Sequence, residues 1–232
     1  MERGLTGGVL ALVGLVAIVG AGAYFTLKRP DVPYETLAAQ YESAASRYEE
    51  LPGGLRVHYR DEGQPNGPVL VLIHGFSASV HTWEPWVQRL GEEYRIISLD
   101  LPGHGLTRAP AGYQASIEAY RDVVHQFLQT RGVSSFALAG SSMGGNVAWE
   151  YALAYPEQVN ALILVDTSNW EDTRAEAAED PAVFKLLRNP ILGPLLRDLD
   201  STRLTRGGLE AAFVNTALVD DAMVTLYVHL AR

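Results

Sequence analysis

A chain of 232 residues, 47% apolar and 19% charged, has enough apolar material to bury the core of one sizeable domain, which argues against disorder of the whole chain. Its 18 basic and 27 acidic residues leave a net charge of −9, so a nucleic-acid or polybasic lipid surface is not its main business. It has no cysteine, which removes disulfides, thiolate metal sites and cysteine nucleophiles and leaves the redox compartment open. The charge is uneven: Arg3, Lys28 and Arg29 against Glu2 make the first thirty residues +2, which leaves −11 on the rest.

Leu5 to Leu27 is an uncharged run of 23 residues, stopped by Lys28, Arg29 and Pro30. As a helix it would reach roughly 35 Å, enough for a bilayer core of about 30 Å. The run predicts a single-pass membrane anchor in residues 1–29. A cleaved signal peptide is the alternative, with Ala21-Gly22-Ala23 as a small-x-small site. An anchor is preferred because the apolar run continues through Tyr24, Phe25 and Leu27. Arg3 on one side nearly balances Lys28 and Arg29 on the other, so the sequence leaves the orientation open.

Residues 30–46 read as a polar spacer with a short helix, and a strand–helix alternation begins at 47. Leu55, Val57 and Tyr59 alternate with Arg56, His58 and Arg60, the period of a half-buried strand, and Pro52-Gly53-Gly54 turns it back on Arg47–Leu51 as a hairpin. Val69–Ile73 is a continuous apolar run, the mark of a strand covered on both faces. Trp83, Trp86, Val87 and Leu90 follow at helical spacing, with the tryptophans as core anchors, and Arg95–Leu99 is the next strand. Ile117, Tyr120, Val124, Phe127 and Leu128 share one helical face, with Ser116 as N-cap and Gly132 just past the end. Phe136–Ala139 is a strand, Gly144–Tyr155 a helix ended by Pro156, and Ala161–Val165 another buried strand. This order predicts an α/β fold with a doubly wound, mostly parallel sheet over residues 47–170.

Beyond Asp166 the character changes. Glu171–Asp180 is acidic, and short apolar helices follow, broken by Pro190, Pro194 and Gly207-Gly208. Met223, Leu226, Tyr227 and Leu230 make a last helical face. Residues 171–232 read as a helical cap over the end of the sheet.

Gly140-Ser141-Ser142-Met143-Gly144 matches G-x-S-x-G between a buried strand and a helix. Small residues at Gly140 and Gly144 permit a sharp turn that lifts the Ser142 hydroxyl above the sheet, and the Met143 amide then faces any oxyanion formed there. His74-Gly75-Phe76 ends the preceding apolar strand, and the Phe76 amide is the candidate second donor. His74 itself reads as a structural histidine that holds this loop. Asp100 reads as a turn residue that accepts from neighbouring amides in the loop containing His104, and Asp166 as a turn or cap residue. No metal or cofactor is expected; the substrate is a small molecule, hydrophobic by the apolar character of the cap.

The motifs His74-Gly75-Phe76, Leu99-Asp100-Leu101-Pro102-Gly103-His104-Gly105 and Gly140-Ser141-Ser142-Met143-Gly144-Gly145, in that order and spacing, closely resemble the serine branch of the α/β-hydrolase fold superfamily. That branch includes small esterases, lipases, cofactor-free haloperoxidases and carbon–carbon bond hydrolases. The resemblance implies Ser142 as nucleophile and the Phe76 and Met143 amides as oxyanion hole. A serine at 142 argues against the epoxide hydrolases and haloalkane dehalogenases of this fold, which carry aspartate there.

One departure stands out. Triad members of this family follow the order Ser, Asp/Glu, His. After Ser142 the sole histidine is His229, three residues from the end of the chain and inside the cap. The sequence therefore reads as a hydrolase core without the last two strand–helix units of the fold, with its triad acid and histidine absent. A membrane-anchored serine hydrolase, impaired in this form, is the expectation. The rivals are a catalytically dead binding or scaffold protein and a fragment with no function of its own. Without further strands, Ala161–Val165 would be a bare edge whose side chains each forfeit up to about 1.5–3 kcal/mol of burial.

Overall fold

A computed structural model of the protein describes residues 19–29, 31–167, 186, 189–190 and 192–231. Its centre is a six-stranded sheet ordered β1-β2-β4-β3-β5-β6. The strands are β1 (Ser46–Leu51), β2 (Leu55–Gly63), β3 (Val69–Ile73), β4 (Arg95–Leu99), β5 (Phe136–Ser141) and β6 (Val159–Val165). β1 and β2 form the expected hairpin, with Leu51 opposite Leu55, and β2 pairs antiparallel with β4. β4, β3, β5 and β6 are mutually parallel.

Register brings the carboxyl ends of the parallel strands together. Ile73 pairs with Leu99 on one side and Gly140 on the other, and Ser141 pairs with Val165. His74, Asp100, Ser142 and Asp166 therefore emerge at one end of the sheet, where ligands bind in open α/β sheets.

The apolar runs account for two cores, because successive strand residues point to opposite faces. Val71 and Ile73 join the larger core with Val124, Phe127 and Leu128 of α3 (Ile117–Thr130) and with Val147, Ala148 and Tyr151 of α4 (Met143–Ala154). Leu70 and Leu72 join the second with Trp83, while Trp86, Val87 and Leu90 pack against it from α2 (Glu84–Leu90). The two indoles meet edge to face at 5.1 Å, as core anchors. Ser116 caps α3 by accepting from the Ala119 amide, and Gly132 follows it with φ 66°, the left-handed conformation that glycine adopts at little cost.

Residues 30–46 hold the short helix expected there, α1 (Tyr34–Tyr41), which buries Leu37 against Leu106 and Leu230. On β2 the polar side is enclosed, with His58 and Arg60 buried. Ala161–Val165, buried by its pattern alone, is the open edge expected without further strands: it pairs with β5, and Leu162, Ile163 and Leu164 are exposed at the edge of the sheet among the described residues.

The cap segments are α5 (Leu192–Arg197), α6 (Thr202–Ala212) and α7 (Asp221–Leu230). α7 is apolar on two sides rather than one. Val224 and Val228 pack with Leu209 and Val219 in a small cap core, while Leu226 and Leu230 face Leu37 and Leu106. The Leu230 carbonyl accepts from the Gly105 amide (2.9 Å) and the Tyr227 and Thr82 hydroxyls lie 3.2 Å apart, so α7 sits over the loops that follow β3 and β4. The acidic Glu171–Asp180 segment lies outside the described residues. So does most of the expected membrane span 5–27: residues 19–27 are helical, and no described helix is long and apolar enough to cross a membrane.

Candidate active site

β5 ends at Ser141 and α4 begins at Met143, so Ser142 makes the reversal by itself. Its backbone sits at φ 51°, ψ −120°, a conformation that costs a residue with a side chain about 1–3 kcal/mol. Two hydrogen bonds hold it there. The Ser142 amide donates to the Val165 carbonyl (2.9 Å), and the Ser142 carbonyl accepts from the Gly145 amide (2.9 Å). The flanking glycines are a packing requirement. A Cβ at Gly140 would overlap the Gly144 carbonyl, one at Gly144 the carbonyl oxygens of Ile73 and His74, and one at Gly145 the Thr167 side chain.

The loop after β3 reaches the same place. A Cβ on Gly75 would lie 3.2 Å from the Ser142 Cβ, so the backbone that leads into Phe76 runs directly beside the serine. The Ala78 amide closes this loop onto the Gly75 carbonyl at 3.3 Å, and Ser77 adopts φ 54° within it. The Phe76 ring is exposed and stands edge-on to His104, with centroids 5.8 Å apart. Met143 opens α4, so its amide belongs to the positive end of that helix dipole. Ser142, Met143 and the His74–Phe76 loop, separated by some 65 residues in the sequence, thus converge on one point.

His74 is buried and hydrogen-bonded within this loop. Its Nε2 accepts from the Leu101 amide (2.9 Å), which leaves Nδ1–H to donate to the Gly75 carbonyl (2.7 Å). Burial lowers its pKa and keeps the ring neutral, as that pair of bonds requires. Burial, helped by His74, likewise holds His104 down to about 4.

Asp100 is a buried anchor bonded by groups other than Ser142. One carboxylate oxygen accepts from the Val80 amide (2.8 Å), and the other from the Leu106 amide (2.9 Å) and His58 Nδ1 (2.7 Å). Burial by itself would raise its pKa; the hydrogen bond and charge of His58, with help from His74 and the Leu106 amide, outweigh that and hold it at about 2. Gly105, at φ 55°, completes the loop where a side chain would run into this carboxylate. The turn reading of Asp100 holds, but its partners His58 and Thr107 escape a reading by pattern. The Thr107 hydroxyl donates to the Asp100 carbonyl (2.7 Å) and accepts from the His58 amide (2.9 Å). A histidine on the polar side of a strand that turns out to be internal was the available signal.

All six histidines lie among the described residues, and each has a partner other than Ser142. His58 bonds Asp100, His74 bonds Gly75, His81 bonds Arg60, His104 bonds Pro102 and His125 bonds Tyr151. His229 Nδ1 pairs with the Tyr41 hydroxyl at 2.7 Å. Asp166 is exposed at the end of β6 with φ 47°. Among the described residues no group of His, Asp or Glu is placed to hold a metal ion.

A family model described as alpha/beta hydrolase fold matches residues 68–227. The chain belongs to the alpha/beta hydrolase fold family. Epoxide hydrolase 4 of Homo sapiens is 31% identical over 158 residues, which are 67% of this chain and 44% of that protein. Lipase 1 of Psychrobacter immobilis is 32% identical over 158 residues, 66% of this chain and 49% of that one. The crystal structure of a bacterial membrane phospholipase A superimposes with a TM-score of 0.60 at 27% identity, covering 100% of this chain and 73% of that one. The chain spans about half the length of the curated relatives it matches.

Two outcomes follow from the geometry. Ser142→Gly removes a side chain from a left-handed position, and is expected to raise unfolding free energy by about 1 kcal/mol, the relieved strain less the added chain entropy of glycine. Urea denaturation reads this; an unchanged or lower midpoint means that the turn is unstrained. Because the Asp100 pKa is depressed in the fold, its contribution is complete above about pH 4 and fades as pH falls toward 2. That contribution is about 2 kcal/mol. Asp100→Asn should flatten this part of the acid limb. At pH 7 it should cost about 3–5 kcal/mol, because the charge is lost and the amide nitrogen must face either the Val80 amide or the Leu106 amide with His58. A variant that keeps the wild-type acid profile would exclude Asp100 as its source.

Proposed function

We propose that Ser142 is the nucleophile of a membrane-anchored serine hydrolase acting on an ester or related carbonyl of a small hydrophobic substrate. The observation that carries this reading is the Ser142 turn itself, a strained serine between a parallel strand and a helix N-terminus with the Gly75–Phe76 backbone alongside. In the reaction the Ser142 oxygen attacks the acyl carbon, and the carbonyl electrons move onto an oxyanion held by the Phe76 and Met143 amides. The oxyanion collapses, the ester C–O bond breaks and the alcohol leaves with the proton given up by Ser142; water then adds to the acyl-serine, the acid is released and a proton returns to Ser142. The amides hold the developing charge in a fixed geometry, which is the largest single contribution such sites make. A serine at 142 sets the chain apart in chemistry from aspartate-nucleophile members of the fold, its likeness to Epoxide hydrolase 4 notwithstanding. The names Lipase 1 and membrane phospholipase A support a lipophilic acyl substrate.

The attacking hydroxyl must give up a proton, and no histidine of these 232 residues is bonded to it. The chain is therefore expected to hydrolyse slowly, with the residual catalysis of about 10³–10⁴-fold over water that an oxyanion hole and binding alone sustain. The same absence of a histidine on Ser142 favours a second reading, an anchored binding or scaffold protein that keeps the fold without turnover. Hydrolysis of p-nitrophenyl butyrate by the 232-residue chain separates them. Slow turnover that drops further in Ser142→Ala supports the nucleophile; turnover indifferent to Ser142→Ala supports the binding protein; rapid turnover lost in Ser142→Ala shows that a base is present. The anchor rests on the uncharged 5–27 run. The full chain should stay with membranes through carbonate extraction, and a chain without residues 1–29 should be released; a full chain that carbonate releases would sink the anchor.

A further inference from the structure

We propose that the cap and the end of the N-terminal apolar run form one docking unit, in which the exposed leucines of α5 lie in the surface of the same bilayer that holds the run. This rests on the anchor reading above. What brings the two together is a strap between segments some 170 residues apart in the sequence. Lys28 forms an antiparallel bridge with Leu199. The Arg29 amide donates to the Asp198 carbonyl (2.8 Å), and the Asp200 amide donates to the Leu27 carbonyl (2.9 Å). Side chains reinforce it: the Tyr24 hydroxyl donates to Asp198 (2.9 Å), Lys28 pairs with Asp198 (3.0 Å) and Arg29 with Asp200 (2.8 Å). The point where the apolar run meets its first charges is thus tied to the residues that directly follow α5.

Reach then decides where α5 lies. Leu195 is four residues from Leu199, so the two α-carbons are at most about 14 Å apart. If the 5–27 run spans a bilayer, Lys28 and Arg29 mark its surface, and Leu195 cannot be far from it. The side chains there are suited to that place. Leu192 and Leu195, three apart on one helical face, are 43% and 44% exposed, and Phe25 and Leu27 on the strapped helix are more exposed still. Charge specifies the kind of membrane contact. Both cations of the strap are paired with aspartates, and the remainder of the chain is strongly acidic, so anionic lipid offers no attraction. The contact is apolar, and neutral phosphatidylcholine suffices for it. Such docking places the cap against the phase in which a hydrophobic ester dissolves.

The absence of cysteine allows single probes. Leu15→Cys, Leu195→Cys and, as an exposed reference on α3, Gln129→Cys are each labelled with a nitrobenzoxadiazole fluorophore in the full chain. The proteins are reconstituted in phosphatidylcholine vesicles containing nitroxide-labelled lipid. Quenching at 15 and 195 several-fold above that at 129 is the expected result. Quenching at 15 with 195 no higher than 129 overturns the docking and leaves the anchor standing. No quenching at 15 overturns the anchor and the docking with it, and equal quenching at all three means unspecific adsorption and overturns the docking. Asp198→Asn combined with Asp200→Asn, which weakens the strap, should lower quenching at 195 at least twofold and spare 15. Unchanged quenching at 195 would show that the strap does not hold the cap at the membrane.

Discussion

The carboxyl end of the sheet is organised by backbones that approach closer than any side chain permits. The turn at Ser142 passes β5 into α4 in a single residue, and it can do so because Gly144 rests on the carbonyls of Ile73 and His74 while Gly140 and Gly145 clear the helix and Thr167. Each contact joins a different strand end: β3 through Gly144, β6 through the Ser142 amide and Val165. A methyl group at any of these glycines would separate α4 from the sheet. The strained serine is thus supported on every side, the condition under which a residue persists in an unfavourable conformation.

A second cornerstone lies one strand over. Asp100 is a carboxylate removed from water, and leaving it unpaired would cost several kcal/mol. Two amides and His58 compensate it, and through the Val80 amide and the Leu101–His74 bond it aligns the loop after β3 with the loop after β4. The candidate oxyanion loop is therefore held by a polar network in which no member needs to touch substrate. The rings of His74, His104 and Phe76 meet in series, the first pair tilted and the second edge to face, from that network toward the exposed side of the loop.

The two flanks of the sheet are treated differently. On the other flank β2 is largely covered, His58 and Arg60 included, and the edge strand β1 alternates polar residues with the buried Leu51 at its end. On the β6 side an apolar strand presents Leu162, Ile163 and Leu164 at 37–40% exposure, a surface that favours self-association. The stretch shared with the curated relatives is 44% of the one and 49% of the other.

Much of this was legible in the sequence because it is written locally. An apolar run of five residues identified β3 to the residue, Ser116 announced its helix, and G-x-S-x-G placed between a strand and a helix located the serine. Such signals need only neighbours in the chain: side-chain periodicity, a cap, a turn that tolerates no Cβ. The rest was decided by tertiary contacts between residues far apart. His58 became the partner of Asp100 because β2 pairs with β4, a register no local pattern encodes. His229, the last histidine of the chain, was drawn to Tyr41 and not to Ser142 because α7 packs its Leu230 side against α1. The strap from Lys28 to Leu199 has the same origin: a segment's sequence records its own preferences, whereas the elements that reach it depend on how the whole chain is threaded.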